Sequence, residues 1–174
     1  MRASAWLISL MLAGLAGPAA ANDREALVQA YVKRVVVNSL DQPDISEPYF
    51  SEIRLLNDFS IDFVNAYTGA LARVRQRGDV TLFEQDPLTG DANRCPIGAH
   101  AVRDLTRADT RIMVEARLDN SACDDGGEGT GNGIRLMFFL VKDEKRGGRY
   151  VIDDITREAG EARLASIKAW LERR

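Results

Sequence analysis

Residues Gly148 to Glu158 read GRYVIDDITRE, so two adjacent carboxylates, Asp153 and Asp154, stand inside an otherwise apolar run. Two carboxylates within reach of one substrate atom are the parts of a general acid and base pair, one kept protonated and the other ionised. The run has the tyrosine, valine and isoleucine of a β-strand, along which successive side chains turn to opposite faces. Asp153 then shares a face with Val151 and Ile155, and Asp154 shares the other with Tyr150 and Ile152. On that geometry the two cannot flank one atom. One should turn toward whatever packs on the sheet, and the other should meet water. The bulk of Tyr150 and Ile152 makes Asp154 the buried member. It is then a structural carboxylate bonded to backbone amides or an arginine, or, at a cavity wall, a base with a raised pKa.

Other groups capable of chemistry are scattered. Tyr31, Tyr67 and Tyr150 supply hydroxyl donors and His100 the only imidazole, and no spacing brings any two of them together. A lone histidine after a loop reads first as a surface or capping residue. The loop FEQDPLTGDAN offers Glu84, Asp86, Asp91 and Asn93 as oxygen donors. It departs from the D-x-[DN]-x-[DN]-G calcium loop, and its residue types are those of ordinary turns. No metal and no cofactor is expected. The sequence has no G-x-S-x-G, no H-E-x-x-H, and no Walker or dinucleotide fingerprint.

The first residues, MRASAWLISLMLAGLAGPAAAND, join one early cation, an apolar run from Trp6 to Leu15, a break at Pro18 and small residues at Ala19 and Ala21. This is the pattern of a secretory signal peptide over residues 1–21, cleaved after Ala21. The apolar run falls short of the ~20 residues a membrane span needs. No cysteine near the cleavage site could accept a lipid. Residues 22–174 suffice for a single domain with its own core. The formal charge of the whole chain is −3, and removing the leader takes away one more cation, Arg2. Such a balance argues against nucleic acid as a partner, and no second apolar stretch of spanning length follows. In an oxidising compartment, Cys95 and Cys123 read as one disulfide, worth roughly 3 to 4 kcal/mol in the chain-entropy model.

Asp23 to Asn38 carries Leu27, Ala30, Tyr31 and Val35 at helical spacing. After LDQPDISEP, apolar residues recur at Ile53, Leu56, Phe59, Phe63, Tyr67, Leu71 and Val74, one face of a long helix with a break expected within residues 57–60. RQRGD closes it with cations and Gly78 as cap. The period then changes to two, predicting strands near residues 99–106, 110–119, 133–142 and 149–156, followed by an amphipathic helix over residues 160–174. Helices first and hairpin-linked strands second mean α+β: N-terminal helices packed on a curved, mainly antiparallel sheet, with a C-terminal helix.

This order, together with the segment Asp86-Pro87-Leu88-Thr89-Gly90-Asp91 after the long helix and the closing strand Tyr150, Ile152, Asp154 and Ile155, resembles the nuclear transport factor two-like cone-fold superfamily. Within it the chain is most similar to a group of bacterial envelope proteins, many of them lipoproteins. It departs from them in lacking the lipid-attachment cysteine, in carrying tyrosine where tryptophan is usual on the closing strand, and in the added helix. The resemblance implies a pocket between the helices and the concave sheet face, used by some relatives for isomerase or dehydratase chemistry. Asp154, Tyr150, Tyr67, Tyr31, His100, Asp86 and Asp91 are the residues available to such a pocket or binding surface. Two readings follow. One is a non-enzymatic protein, soluble in the periplasm, that binds a protein partner or small ligand as an envelope accessory, inhibitor or immunity factor. The other is a small enzyme with a carboxylate base. An interior filled by Phe63, Tyr67, Met137 and Phe139 would favour the first.

Overall fold

The computed structural model describes residues 18–40, 42–90, 95–107, 111–121, 133–159, 162–164 and 166–174. Its first helix, α1 (Pro18–Ser39), turns Val28, Tyr31, Val32 and Val35 inward, an i, i+3, i+4, i+7 stripe, and leaves Ala30 exposed. The β-branched end stays helical because Val35 is packed in the core, which outweighs weak propensity. That end is also tied down. Ser39 Oγ donates to the Val36 carbonyl and accepts from Ile97 N–H at 3.0 Å, and Asn38 exchanges two hydrogen bonds with the Glu47 backbone.

α2 (Glu52–Asp58) and α3 (Ile61–Gln76) are the two halves of the broken helix. Between them Phe59 is extended and bridges Ile152 in parallel, while Ser60 caps α3 by accepting from Phe63 N–H. The extended pair takes α2 out of phase with α3. Phe59, Phe63 and Val74 are buried, Tyr67 and Leu71 half-buried, and on α2 it is Leu55 that turns inward. Ile53 and Leu56, expected on the buried face, are 72% and 59% exposed.

Five strands pair antiparallel in sequence order: β1 (His100–Asp104), β2 (Ile112–Leu118), β3 (Ile134–Asp143), β4 (Arg149–Ala159) and β5 (Ala162–Leu164). The first four are the expected ones. β5 is not: residues 160–174 read as one helix, but β4 runs on to Ala159 and takes residues 162–164 as a hairpin partner. Only Ile167–Arg173 is helical, as α4, capped by Ser166 Oγ accepting from Ala169 N–H. Ile167 and Leu171 are its buried residues.

The result is α+β, with N-terminal helices packed on a curved antiparallel sheet and a helix at the C-terminal end. The packed face carries Val114, Ala116 and Leu118 of β2, Ile134, Leu136, Phe138 and Leu140 of β3, and Ile152 and Ile155 of β4. Phe138 thus fills the interior. Met137 and Phe139, the residues expected there, are half-buried on the opposite face because they alternate with it.

Candidate functional site

The strand alternation that separates Asp153 from Asp154 is broken by a β-bulge. Leu140 pairs with Ile152 and Phe139 with Asp154, so Asp153 is an extra residue with no partner across the ladder. Cross-strand partners share a face. Asp154 therefore lies on the side of Phe139, away from Ile152, and the expectation that it shares a face with Tyr150 and Ile152 is corrected.

Both carboxylates converge on the start of α4. Asp154 is buried and accepts from Ser166 Oγ at 2.7 Å, Lys168 N–H at 3.1 Å and its neighbour Ile155 N–H at 2.8 Å. Asp153 accepts from Ser60 Oγ at 2.7 Å and Lys168 Nζ at 2.9 Å, with Arg111 at 3.4 Å. The expectation that Asp153 meets water is corrected too. Burial pushes its carboxyl up, but the hydrogen bonds from Lys168 and Ser60 and the charges of Lys168 and Arg111 outweigh that and hold it below the ordinary aspartate range. An aspartate held low is a weak proton acceptor, and Asp154 is held in place by three donors. The pair is a clasp: Asp153 ties the cap of α3 to α4, and Asp154 ties the cap of α4 to β4.

The concave side of the sheet holds packed rings. Tyr31 meets Phe59 and Phe138 edge-on at 5.6 and 5.9 Å, Phe59 stacks on Phe63 at 4.4 Å, and Phe50 contacts Phe63 and Tyr67. The Tyr31 hydroxyl donates to the Tyr49 carbonyl, and burial raises its pKa well above the tyrosine norm. Tyr67, also raised by burial, lies tilted against Phe50 at 5.3 Å within this cluster. Tyr150 is half-buried at the far end of β4 beneath the Arg24 guanidinium. His100 is exposed at the start of β1 and hydrogen-bonded to Gln29. Asp86 organises its own loop, taking Leu88 and Thr89 N–H on one oxygen and the Tyr49 hydroxyl on the other. These sequence-derived candidates do not meet in one place. Asp91 and Cys123 lie outside the described residues. Among the described residues no group of three or more His, Cys, Asp or Glu is placed to hold a metal ion, and no helix is long and apolar enough to cross a membrane.

The clasp does border an open cleft of about 740 Å³. Val141, Val151 and Asp153 line it, with Ser60 and Ile61 of the α3 start on one side and Lys142 to Arg146 of the β3–β4 hairpin on the other. Arg146 fixes the hairpin to the helical layer by donating to the carbonyls of Leu56 and Phe59. Ile61 is 63% exposed, so of the large apolar side chains that stand out from the described surface, Ile53, Leu56 and Ile61 come from one short stretch. The periodicity of the sequence assigned Ile53 and Leu56 to the core, which hid this surface; the extended Phe59–Ser60 pair exposes it.

No family model, no curated protein and no solved structure matches the chain.

Proposed function

We propose that the chain is a non-enzymatic binding protein of the bacterial envelope, free in the periplasm, that holds a protein partner at the surface formed by α2, the start of α3 and the β3–β4 hairpin. An accessory subunit of an envelope complex, or an inhibitor or immunity factor, is the kind of protein this describes. The observation that carries the reading is a contrast. The concave side is filled by Tyr31, Phe59, Phe63 and Phe138, while Ile53, Leu56 and Ile61 stand in solvent beside an open cleft. Clustered exposed apolar side chains rimmed by charge are a mark of protein interfaces. A base built on Asp153 or Asp154 would have to give up contacts that hold the fold, since each already accepts three hydrogen bonds.

The cone-fold resemblance and the leader support the compartment. Cys95 fits it as well: it is buried, its Sγ lies 3.2 Å from the Asn120 carbonyl at the start of the β2–β3 connection, and none of the described cysteines is a free thiol. A bond to Cys123, three residues beyond Asn120, belongs to this proposal.

Photo-crosslinking residues placed singly at Ile53, Leu56, Ile61 and, as a control, at the still more exposed Val80 test the surface in living cells. One discrete adduct is expected from the first three positions and none from Val80, and Ile61→Asp should abolish the adduct formed at Ile53 without lowering the melting midpoint. Adducts that are absent, or as strong at Val80, would overturn the proposal.

A further inference from the structure

A second depression, of about 280 Å³, lies between the loop after α3 and the C-terminal helix. Phe83, Glu84 and Asp86 line it from the loop, Arg157 from β4, and Trp170 and Arg174 from α4 and the last residue. It shares no residue with the cleft described above.

Arg157 is the unusual group. It pairs across the ladder with the buried Leu136, so its side chain leaves the sheet on the packed face. Its Nη1 donates to the Asp86 backbone carbonyl at 3.3 Å. Its Nε is buried with no hydrogen-bond partner among the described residues. Asp86, whose charge acts on it, has both oxygens committed elsewhere, and no carboxylate among the described residues forms an ion pair with Arg157. Burial lowers its pKa, and only the charge of Asp86 works against that. A half-buried guanidinium with no counter-ion among the described residues carries a desolvation cost that an anion would offset.

The guanidinium is also held still. At Gly90, with φ +72°, a Cβ would fall 2.3 Å from Arg157 Nη1, so the loop backbone lies against the planar group. Beside it is an apolar wall: Phe83 and Trp170 stack at 5.0 Å, and the Arg174 guanidinium sits 4.7 Å from the Trp170 ring centre. A preset arginine, a second and exposed arginine, and an aromatic wall are the parts of a carboxylate site, because guanidinium donors match carboxylate oxygens and the wall takes an apolar body. The exposed Glu84 at the rim disfavours a dianion such as phosphate through like-charge repulsion.

We propose that this depression binds a small monocarboxylate with an apolar, ring-sized body, its anionic end on Arg157 and Arg174 and its body against Phe83 and Trp170. The proposal goes beyond protein binding at the cleft and does not depend on it.

Benzoate is the probe, with benzamide as its neutral isostere and inorganic phosphate as the dianion. The purified protein, labelled with nitrogen-15, is titrated while the Arg157 Nε–H resonance and the Trp170 indole N–H are followed. Benzoate should shift both saturably, and benzamide and phosphate should shift neither. Arg157→Gln should weaken benzoate about ten- to hundredfold, the range for losing a hydrogen bond to a charged group, and Arg174→Ala should weaken it less. If Arg157→Gln does not fold, the wild-type titration and Arg174→Ala decide the matter. Equal binding of benzamide, or no shift of the Arg157 resonance at saturating benzoate, would overturn the proposal.

Discussion

Removing the Asp154 carboxylate strands three donors, the Ser166 hydroxyl and the Lys168 and Ile155 amides, around a site that is only 7% exposed. Unsatisfied buried donors cost roughly 1 to 3 kcal/mol. Asp154→Ala should lower stability by that order, and Asp154→Asn by less, since its amide oxygen keeps part of the set. Asp153→Ala should also cost roughly 1 to 3 kcal/mol, because the buried Ser60 hydroxyl and the Lys168 ammonium lose their acceptor, while the half-exposed Arg111 can turn to solvent. Thermal unfolding of the three variants checks the order, and an Asp154→Ala protein as stable as wild type would sink the clasp. The pH dependence of Asp153 has a definite sign. Its folded pKa lies below the unfolded value of about 3.9, so its contribution is full above that value and is lost as pH falls through the folded pKa. Denaturant titrations should show the gap between wild type and Asp153→Asn constant above about pH 5 and closing toward pH 2. A gap that widened on acidification would mean that the Lys168 and Arg111 contacts do not hold in solution.

Loops and strands set where such residues land, and the loop from Phe83 to Gly90 allows a clean test of that. Gly78 and Gly90 both have positive φ, but a Cβ at Gly78 meets nothing within 4 Å, whereas one at Gly90 meets the Arg157 guanidinium. Gly78→Ala should therefore cost only the left-handed penalty of about 1 to 2 kcal/mol. Gly90→Ala should cost more, and truncating Arg157 in the same chain should recover the difference. Measured melting of the two single variants and the double variant gives this coupling; equal costs at the two glycines would show that Arg157 does not lie against the loop. At this scale the sequence was legible where periodicity ran unbroken. α1, the body of α3 and β1 to β4 follow from residues such as Val28, Phe63 and Leu136, whose spacing states which face is inward. It was illegible where one residue resets the phase. The extended Phe59–Ser60 pair turned Ile53 and Leu56 outward, and the bulge at Asp153 moved Asp154 to the other face. The break itself was expected within residues 57–60, but not the change of phase across it, and the bulge carries no glycine or proline to announce it. Arg157 was missed for a related reason: an arginine in a strand reads as surface, and only the path of the loop around Gly90 encloses it.

The whole molecule is anchored at its N-terminal end by contacts that begin after the expected cleavage point. Arg24 Nε pairs with Asp104 at 2.9 Å and its guanidinium covers the Tyr150 ring, Glu25 accepts from the Asp104 backbone at 2.8 Å, and Val28 is buried in the core. Cleavage after Ala21 would leave all of these in place, with Asn22 and Asp23 as caps for the shortened helix. The exported protein should thus have the mass of a chain starting at Asn22, with two hydrogens fewer than the reduced form if Cys95 and Cys123 are joined. It should melt no lower than an oxidised chain that keeps residues 18–21. Trimming further, to Val28, removes Arg24 and Glu25 and should lower the melting midpoint, because Asp104 loses both its cation and its amide acceptor. Reducing the proposed Cys95–Cys123 bond should lower it as well while leaving the far-ultraviolet dichroism unchanged, since the helices and sheet bury their own apolar faces. Intact-mass analysis of the periplasmic fraction, followed by melting of the three lengths, tests the chain of argument. A retained Met1, an added lipid, or two free thiols in the exported protein would each contradict it.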